Sequence, residues 1–521
     1  MTKALKIVLI SLGILILLTI PGYFILQNYV AERIEGVLKT SLPETVQLEY
    51  QNFDLSLWNG TLQLGEIVGS YTGKHTGEVR AKLEMKSLFL DGIGFMKYLT
   101  KNDVLVQNIH LDKPRITYFH DTKIPNDSLK SNGINNLKQL VSLEKIKVTD
   151  GFIKVLNREN DSLLLQVDKF QMNFNEVVMD DASIKEKIPV KVGSYGLSFK
   201  DLYFRLNDFE NIEVEKGAFE SDEIRFENLA LYTKYDRETM NKMISKERDH
   251  YNLICDSISV DAPRFGFNKD EVFYFASPQA RIMDADLKVY RNKLLADNLK
   301  IKKLYSEVIR NFKFQLNLEE VLVKNANISY TEKVKAENKG GTVSYSEIYA
   351  TIKKLGNTYK SPEKTSVDVD AKFFGKTPLK VTWTFDVNNL SNAFQFQADI
   401  GHLNASQLNH FTQPNMNIKV NGELKNTQFT INGNNDYSHI DLRIKYDDFD
   451  VVALRKDGKE KNKFLSGVLH VFVKNDSKHD GKAYRTASKD QVQRDKTKSV
   501  FNFIWKTIES ALMKVMVLDR L

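Results

Sequence analysis

From Pro43 onward the chain alternates apolar and polar residues with a period of two. Leu379, Val381, Trp383, Phe385 and Val387 are separated by Lys380, Thr382, Thr384 and Asp386, so every apolar side chain of that stretch falls on one face of a strand. Phe312, Phe314, Leu316 and Leu318 repeat the pattern, as do Phe394, Phe396, Ala398 and Ile400, and again Ile440, Leu442, Ile444 and Tyr446. Strands of a doubly covered parallel sheet read as continuous apolar runs, so alternation this clean predicts a mainly β, mostly antiparallel sheet with one apolar and one wet face. Two sheets covering each other in a sandwich fit the same alternation. Helical stretches are few: Gly92 to Thr100, Ile134 to Leu143, Glu238 to Arg248, Ala405 to Phe411 and the tail from Val500 to Leu518.

The amino end follows a different pattern. An apolar run extends from Ile7 to Leu26, with Lys3 and Lys6 before it and no acidic residue before Glu32. About 20 apolar residues at ~1.5 Å rise each cross a hydrocarbon core of ~30 Å. The run therefore predicts a transmembrane anchor over residues 1–28, with Ile7, Leu15, Leu18, Phe24 and Leu26 among its anchoring side chains. The basic flank keeps the amino terminus in the cytoplasm and sends the body across. A cleaved signal peptide is the rival, but the apolar stretch runs on through Pro21, Gly22 and Tyr23, and Gln27-Asn28-Tyr29 offers no small-residue cleavage site. Val30, Ile34, Val37 and Leu38 then predict a juxtamembrane helix over 29–42, stopped by Pro43.

Within the body, 43–498, one local pattern recurs. Ile109-His-Leu111-Asp-Lys-Pro114-Arg-Ile116-Thr-Tyr118 returns as Ile258-Ser-Val260-Asp-Ala-Pro263-Arg-Phe265-Gly-Phe267. Weaker copies run from Ile146 through Gly151 to Val155 and from Val321 through Ala326 to Tyr330. Each is an alternating strand, a break and a second alternating strand, so Pro114, Gly151, Pro263 and Ala326 mark expected bends or bulges. The uneven spacing of the copies excludes a fixed-period solenoid. Ordinary strand-turn-strand units, as in any sandwich or barrel, are the plainer reading.

Composition adds limits. The 521 residues contain 42% hydrophobic and 11% aromatic residues, which supports a buried core, and only 10 Pro and 26 Gly, with no linker-like stretch to divide the body. The net charge of +7 is spread over 74 basic and 67 acidic residues, without the concentrated basic face that nucleic acid binding needs. Cys255 stands alone, so no internal disulfide forms. Lys478 to Lys498 is rich in Lys and Arg and reads as a solvated loop, with anionic headgroups as the alternative partner. The tail presents Val500, Phe501, Ile504, Trp505, Ile508, Leu512 and Val515 as one stripe, which predicts an amphipathic helix over 499–521 that caps the sheet; contact with a membrane surface or a partner is the alternative.

Catalytic constellations are missing. Phe374-Gly375-Lys376-Thr377 imitates the end of a phosphate-binding loop, but Asp370 stands where its first glycine belongs. His402 and His410 have no third metal ligand at sensible spacing, and Cys255 reads as a small buried residue. No enzyme, metal or cofactor chemistry is expected.

The order of parts resembles the AsmA-like family of envelope proteins, in particular its Bacteroidetes-type members. The resemblance rests on the anchor, the short helix, the first β section from Leu48 to Leu57 and strand pairs of the Ile109 to Tyr118 type. The closing segment adds Phe449 to Leu454, Phe464 to Gly467 and Arg494 to Trp505. It implies a long curled sheet forming a taco-shaped apolar groove, anchored in the inner membrane and projecting into the periplasm. A non-enzymatic role in phospholipid transfer or outer-membrane assembly goes with it. On that basis Phe312, Phe314, Leu316, Leu318, Val381, Trp383, Phe385, Phe394, Phe396 and Ile400 are the candidate groove lining, with phospholipid and envelope proteins as partners. A closed β-sandwich scaffold for envelope proteins is the competing expectation.

Overall fold

The computed structural model describes residues 23–36, 42–73, 76–95, 104–121, 123, 141–180, 183, 186–187, 190–454 and 484–516. Ile7, Leu15 and Leu18 lie outside them. Among the described residues no helix is long and apolar enough to cross a membrane. Phe24 and Leu26 lie in a helix over 23–36 (α1), where both are exposed; of the juxtamembrane helix expected over 29–42, residues 29–36 belong to it, and Val37 and Leu38 lie outside the described residues.

The chain divides into two compact units, 1–205 with 216–221, and 206–215 with 222–521. Composition carries no mark of the division because both units are built from the same alternating strands. The first contains β1 (Val46–Glu49), β2 (Asn52–Ser56), β3 (Thr61–Thr72), β4 (Val79–Asp91), β5 (Val104–Asp112), β6 (Arg115–His120), β7 (Val141–Asn157), β8 (Leu163–Met179) and β9 (Lys191–Arg205). Pairing is antiparallel except where β7 runs parallel to β5 and β6. Val141 to Leu143, the end of the helix expected from Ile134, instead belong to β7 and pair with Val104 to Val106 of β5 and Val177 to Met179 of β8; the rest of that expected helix lies outside the described residues.

β10 (Glu210–Glu220) straddles the division. The second unit continues with β11 (Glu223–Thr233), helix α2 (Arg237–Met243), β12 (Asp249–Asp261), β13 (Arg264–Phe267), β14 (Phe273–Asn292), helix α3 (Tyr305–Arg310), β15 (Gln315–Lys333), β16 (Gly341–Gly356) and β17 (Thr365–Phe373). After these come β18 (Thr377–Phe385), β19 (Phe394–Ile400), β20 (Leu403–Asn404), helix α4 (Asn409–Met416), β21 (Ile418–Gly433), β22 (Tyr437–Ala453), β23 (Arg485–Gln493) and helix α5 (Val500–Met516). β14 and β15 are parallel, joined by a crossover that contains α3; their neighbours pair antiparallel. The helix expected from Glu238 to Arg248 stops at Met243, since Ile244 is already extended and β12 begins at Asp249. α3 has no counterpart among the expected helices: six residues are too few to show a helical period.

All four bend residues follow a residue in the left-handed conformation: Lys113 before Pro114, Asp150 before Gly151, Ala262 before Pro263 and Asn325 before Ala326, with φ between 39° and 56°. In the first unit two copies of the pattern lie side by side in register, Ile109 opposite Ile146, Leu111 opposite Val148, Ile116 opposite Ile153 and Tyr118 opposite Val155. Leu111 and Ile116 are five residues apart yet share a face, because the extra residue at the bend resets the alternation. In the second unit β14 separates the copies, and Ile258 reaches Val323 through Ile282 rather than Val321.

The bends continue from strand to strand. In the first unit Glu66, Lys113, Asp150, Lys169 and Asp201, all with positive φ, follow one another across β3 to β9. In the second, Asn228, Asp284, Asn325 and Glu347 do the same across β11 to β16, and Asn325 Nδ2 donates to Asp284 Oδ1 at 2.6 Å. Within each unit the sheet is thus creased along a line of bulges. The left-handed residues are polar and exposed, while the residue after them is small or apolar and buried at Ile67, Pro114, Gly151, Phe170, Ala326 and Ile348.

Gly151 shows how tight the inside of the crease is: a Cβ there would lie 2.3 Å from the Phe170 ring, whereas one on Gly196 of β9 would meet open space. Gly151→Val is therefore expected to lower the thermal unfolding midpoint, with an overpacking cost of about 1–3 kcal/mol. Gly196→Val should leave it nearly unchanged; equal midpoints for the two variants would contradict the close packing.

Candidate functional site

Opposite residues of neighbouring strands share a face, so the pairings trace an apolar strip across each unit. In the first unit it passes through Ile116 and Tyr118, Ile153 and Val155, Leu165 and Val167, then Leu202 and Phe204 on one side of the crease. On the other side it passes through Ile109, Ile146, Phe174 and Tyr195, and through Leu111, Val148, Met172 and Leu197. Away from the crease these side chains are mostly half-buried, and Phe204 is 39% exposed. The opposite face carries polar side chains such as Lys145, Lys147, Asn173 and Asn175, the last donating to Ser194 Oγ at 2.9 Å. Burial pushes the Tyr195 hydroxyl above the usual tyrosine range, as an apolar surround should.

α1 covers one end of this strip. Its Val30, Ala31 and Ile34 pack on the core of Leu55, Leu62, Leu64, Ile67 and Met85 from β2, β3 and β4. Among the described residues no helix of this unit lies over β7 to β9.

The second unit grades from open to covered. Phe265 stacks 6.4 Å from Phe275, Phe267 meets Phe273 at 5.6 Å, Phe273 meets Phe314 at 6.4 Å, and Phe314 stacks on Phe312 at 5.0 Å. Phe265, Phe267 and Phe273 are exposed, whereas Phe312 packs against the main core. Leu316 pairs with Phe275 and Leu318 with Ser277 and Leu355, continuing the same half-buried strip. Of the candidate lining residues, Phe314, Leu316 and Leu318 lie where the face is partly open, and Phe312 sits where it meets the main core.

The other six do not line an open wall. Trp383, Phe385 and Phe394 are buried, and Val381, Phe396 and Ile400 pack against the same core, which runs on through Ile431, Ile440 and Leu442. Two helices cover it: α5, through Val500, Phe503, Ile504, Ala511 and Val515, and the α3 segment, through Leu304 and Ile309. Phe501 lies 6.3 Å from Trp383, Phe503 6.3 Å from Phe394, and Tyr305 5.5 Å from Trp383. A buried hydroxyl pair, Ser438 Oγ and Thr507 Oγ1 at 2.7 Å, and Arg310 Nη2 donating to Asn392 Oδ1 at 2.9 Å hold the helices in place. The expected capping helix is α5, and among the described residues the layer over these strands is helical.

Among the described residues no group of three or more His, Cys, Asp or Glu side chains is placed to hold a metal. The phosphate-loop imitation is the turn between β17 and β18, with Phe374 and Gly375 both at positive φ. His402 Nε2 lies 3.4 Å from Glu423, and His410 sits beside the Phe374 ring. Burial raises the Cys255 thiol above its ordinary range, and its Sγ lies 3.4 Å from the Ser257 and Met283 carbonyl oxygens, so it is a structural residue.

Sequence patterning missed Val167, Met172, Phe174, Tyr195 and Leu197, the half-buried members of the first unit's strip. The signal was present: in β8, alternation through Leu163, Leu165 and Val167 resumes at Phe170, Met172 and Phe174 after one odd step, the mark of a bulge at Lys169. No family model matches the chain, and no curated protein matches it.

Proposed function

We propose that this chain is a non-enzymatic lipid carrier of the AsmA-like kind, holding phospholipid acyl chains against the apolar faces of its creased sheets. The observation that carries the reading is the strip over β5 to β9, apolar, in register across the strands and only half-buried. A two-chain phospholipid has roughly 30 methylenes at ~0.8 kcal/mol each, so its passage through water faces a barrier on the order of 20 kcal/mol. An apolar face of this extent removes much of that barrier. The residues assigned to contact lipid are Val167, Met172, Phe174 and Leu197 in the first unit and Phe265, Phe273, Phe314, Leu316 and Leu318 in the second.

In this proposal the run from Ile7 to Leu26 anchors the chain in a bacterial inner membrane, with Lys3 and Lys6 on the cytoplasmic side and the body in the periplasm. The role is phospholipid transfer or outer-membrane assembly. A second reading, a scaffold for envelope proteins, draws its support from the helix-covered core, where Ile431, Ile440 and Ile444 are fully buried.

Native mass spectrometry with lipid extraction separates the two. The full chain, purified in mild detergent and exchanged out of it, is expected to retain phospholipid in stoichiometric amount. A compact lipid-free chain would favour the scaffold.

A further inference from the structure

We propose that the 293–304 loop, the outward side of α3 and the first two turns of α5 form a docking surface for an anionic lipid bilayer. Leu299 and Ile301 are each 67% exposed, on either side of the exposed Lys300. Tyr305 and Val308 lie one turn apart on α3, Phe501 and Trp505 one turn apart on α5, and all four are exposed. The Tyr305 and Phe501 rings, 6.5 Å apart, join the two helices into one patch.

The loop is tied down rather than loose. Lys302 N donates to the Lys496 carbonyl at 2.8 Å, just before α5 begins, and Lys498 pairs with Asp297 at 2.9 Å. Beneath them, the buried Glu247 carboxylate pairs with Lys293 and lies 3.8 Å from Lys498. Leu299 and Ile301 are thus held outward by a fixed backbone. An apolar pair so placed has no folding role of its own.

Charge selects the occupant. Lys300, Lys303 and Lys506 lie on the segments that bear the apolar residues, and Lys496 lies just before α5. Three of them pair with Glu307, Asp436 and Glu509 in half-exposed ion pairs, which are weak and readily exchanged for headgroup phosphates. Lysine is depleted from the cores of protein interfaces, whereas a headgroup layer accepts it beside apolar side chains. Trp505 and Tyr305 combine an apolar body with a polar tip, the character of residues at membrane–water boundaries. The surface is separate from the strips assigned to carry lipid, and it stands on its own exposure and charge whether or not those strips hold acyl chains.

The test uses the full chain carried in phosphatidylcholine nanodiscs, with a polarity-sensitive fluorophore on Leu299→Cys; Cys255 is buried and labels poorly. Added vesicles of phosphatidylcholine with phosphatidylglycerol should raise the emission several-fold and shift it to the blue. Vesicles of phosphatidylcholine alone should not, and neither should anionic vesicles act on a probe at the exposed Lys200→Cys. Adding Ile301→Asp and Lys300→Glu, both at exposed positions, should abolish the response. No response to anionic vesicles overturns the proposal, as does an equal response to neutral ones or from the Lys200 site. A change that grows with protein concentration in the absence of vesicles would assign the patch to a second copy of the chain instead.

Discussion

Trp383→Asp is expected to abolish the cooperative unfolding transition of the second unit, while Val167→Asp leaves the first unit folded and strips it of lipid. The two side chains both face the apolar side of a creased sheet, but Trp383 is only 9% exposed beneath α3 and α5, in edge contact with Phe394, Phe396 and Phe501. A carboxylate in that position has no partner and no water. Burying an unpaired polar group costs several kcal/mol and a charge more, against a total stability of ~5–15 kcal/mol. Val167 is half-buried in a strip that no described helix of its unit covers, so a carboxylate there can stay hydrated while, under the proposed function, repelling acyl chains. Thermal unfolding read together with bound phospholipid decides the matter. A preserved transition in Trp383→Asp would contradict the covered core, and unchanged lipid in Val167→Asp would remove the strip from the lipid path.

The contrast between these positions marks how far the sequence could be read. Alternation located the strands and their apolar side correctly at Leu379 to Phe385, Phe394 to Ile400 and Ile440 to Tyr446, because the period of two is a property of each strand alone. Whether that side is open or covered depends on what packs there from far along the chain. α5 is more than a hundred residues from Trp383, and no local pattern records their meeting. The stripe of Val500, Ile504 and Val515 announced a helix in need of a surface but not which strands would supply it.

The bends were legible for a different reason. Pro114 and Pro263 interrupt alternation visibly, and each sits in the structure at a break between two strands. The remainder of the creases was hidden because their left-handed residues are of several kinds: Asn and Asp tolerate that conformation, but Glu66, Lys169 and Glu347 do not advertise it. They are held there by neighbouring strands that bend on the same line, a constraint that appears only once the register is known. The division into two compact units leaves no mark in the sequence, since strands of one kind serve both and the division falls inside β10.

Removing the tail from Val500 onward should have the largest effect of all. Val500, Phe503, Ile504, Ala511 and Val515 are buried against Phe394, Ile440, Ile444 and Leu442, and their loss would uncover both sides of that contact. At ~1.5–3 kcal/mol for each large apolar side chain, the lost burial approaches the whole stability of an ordinary domain. Thr507, fully buried, also leaves Ser438 without its hydroxyl partner. The truncated chain is expected to aggregate when detergent is withdrawn and, while detergent is present, to bind more of it than the full chain, because an apolar face closed by a helix becomes an open one. A truncated chain that stays monomeric without detergent and unfolds at the original temperature would show that α5 rests on the sheet without holding it. If instead aggregation is suppressed by added phospholipid, the uncovered strands around Trp383 have become part of a longer lipid-binding face, and α5 is what limits its extent in the intact protein.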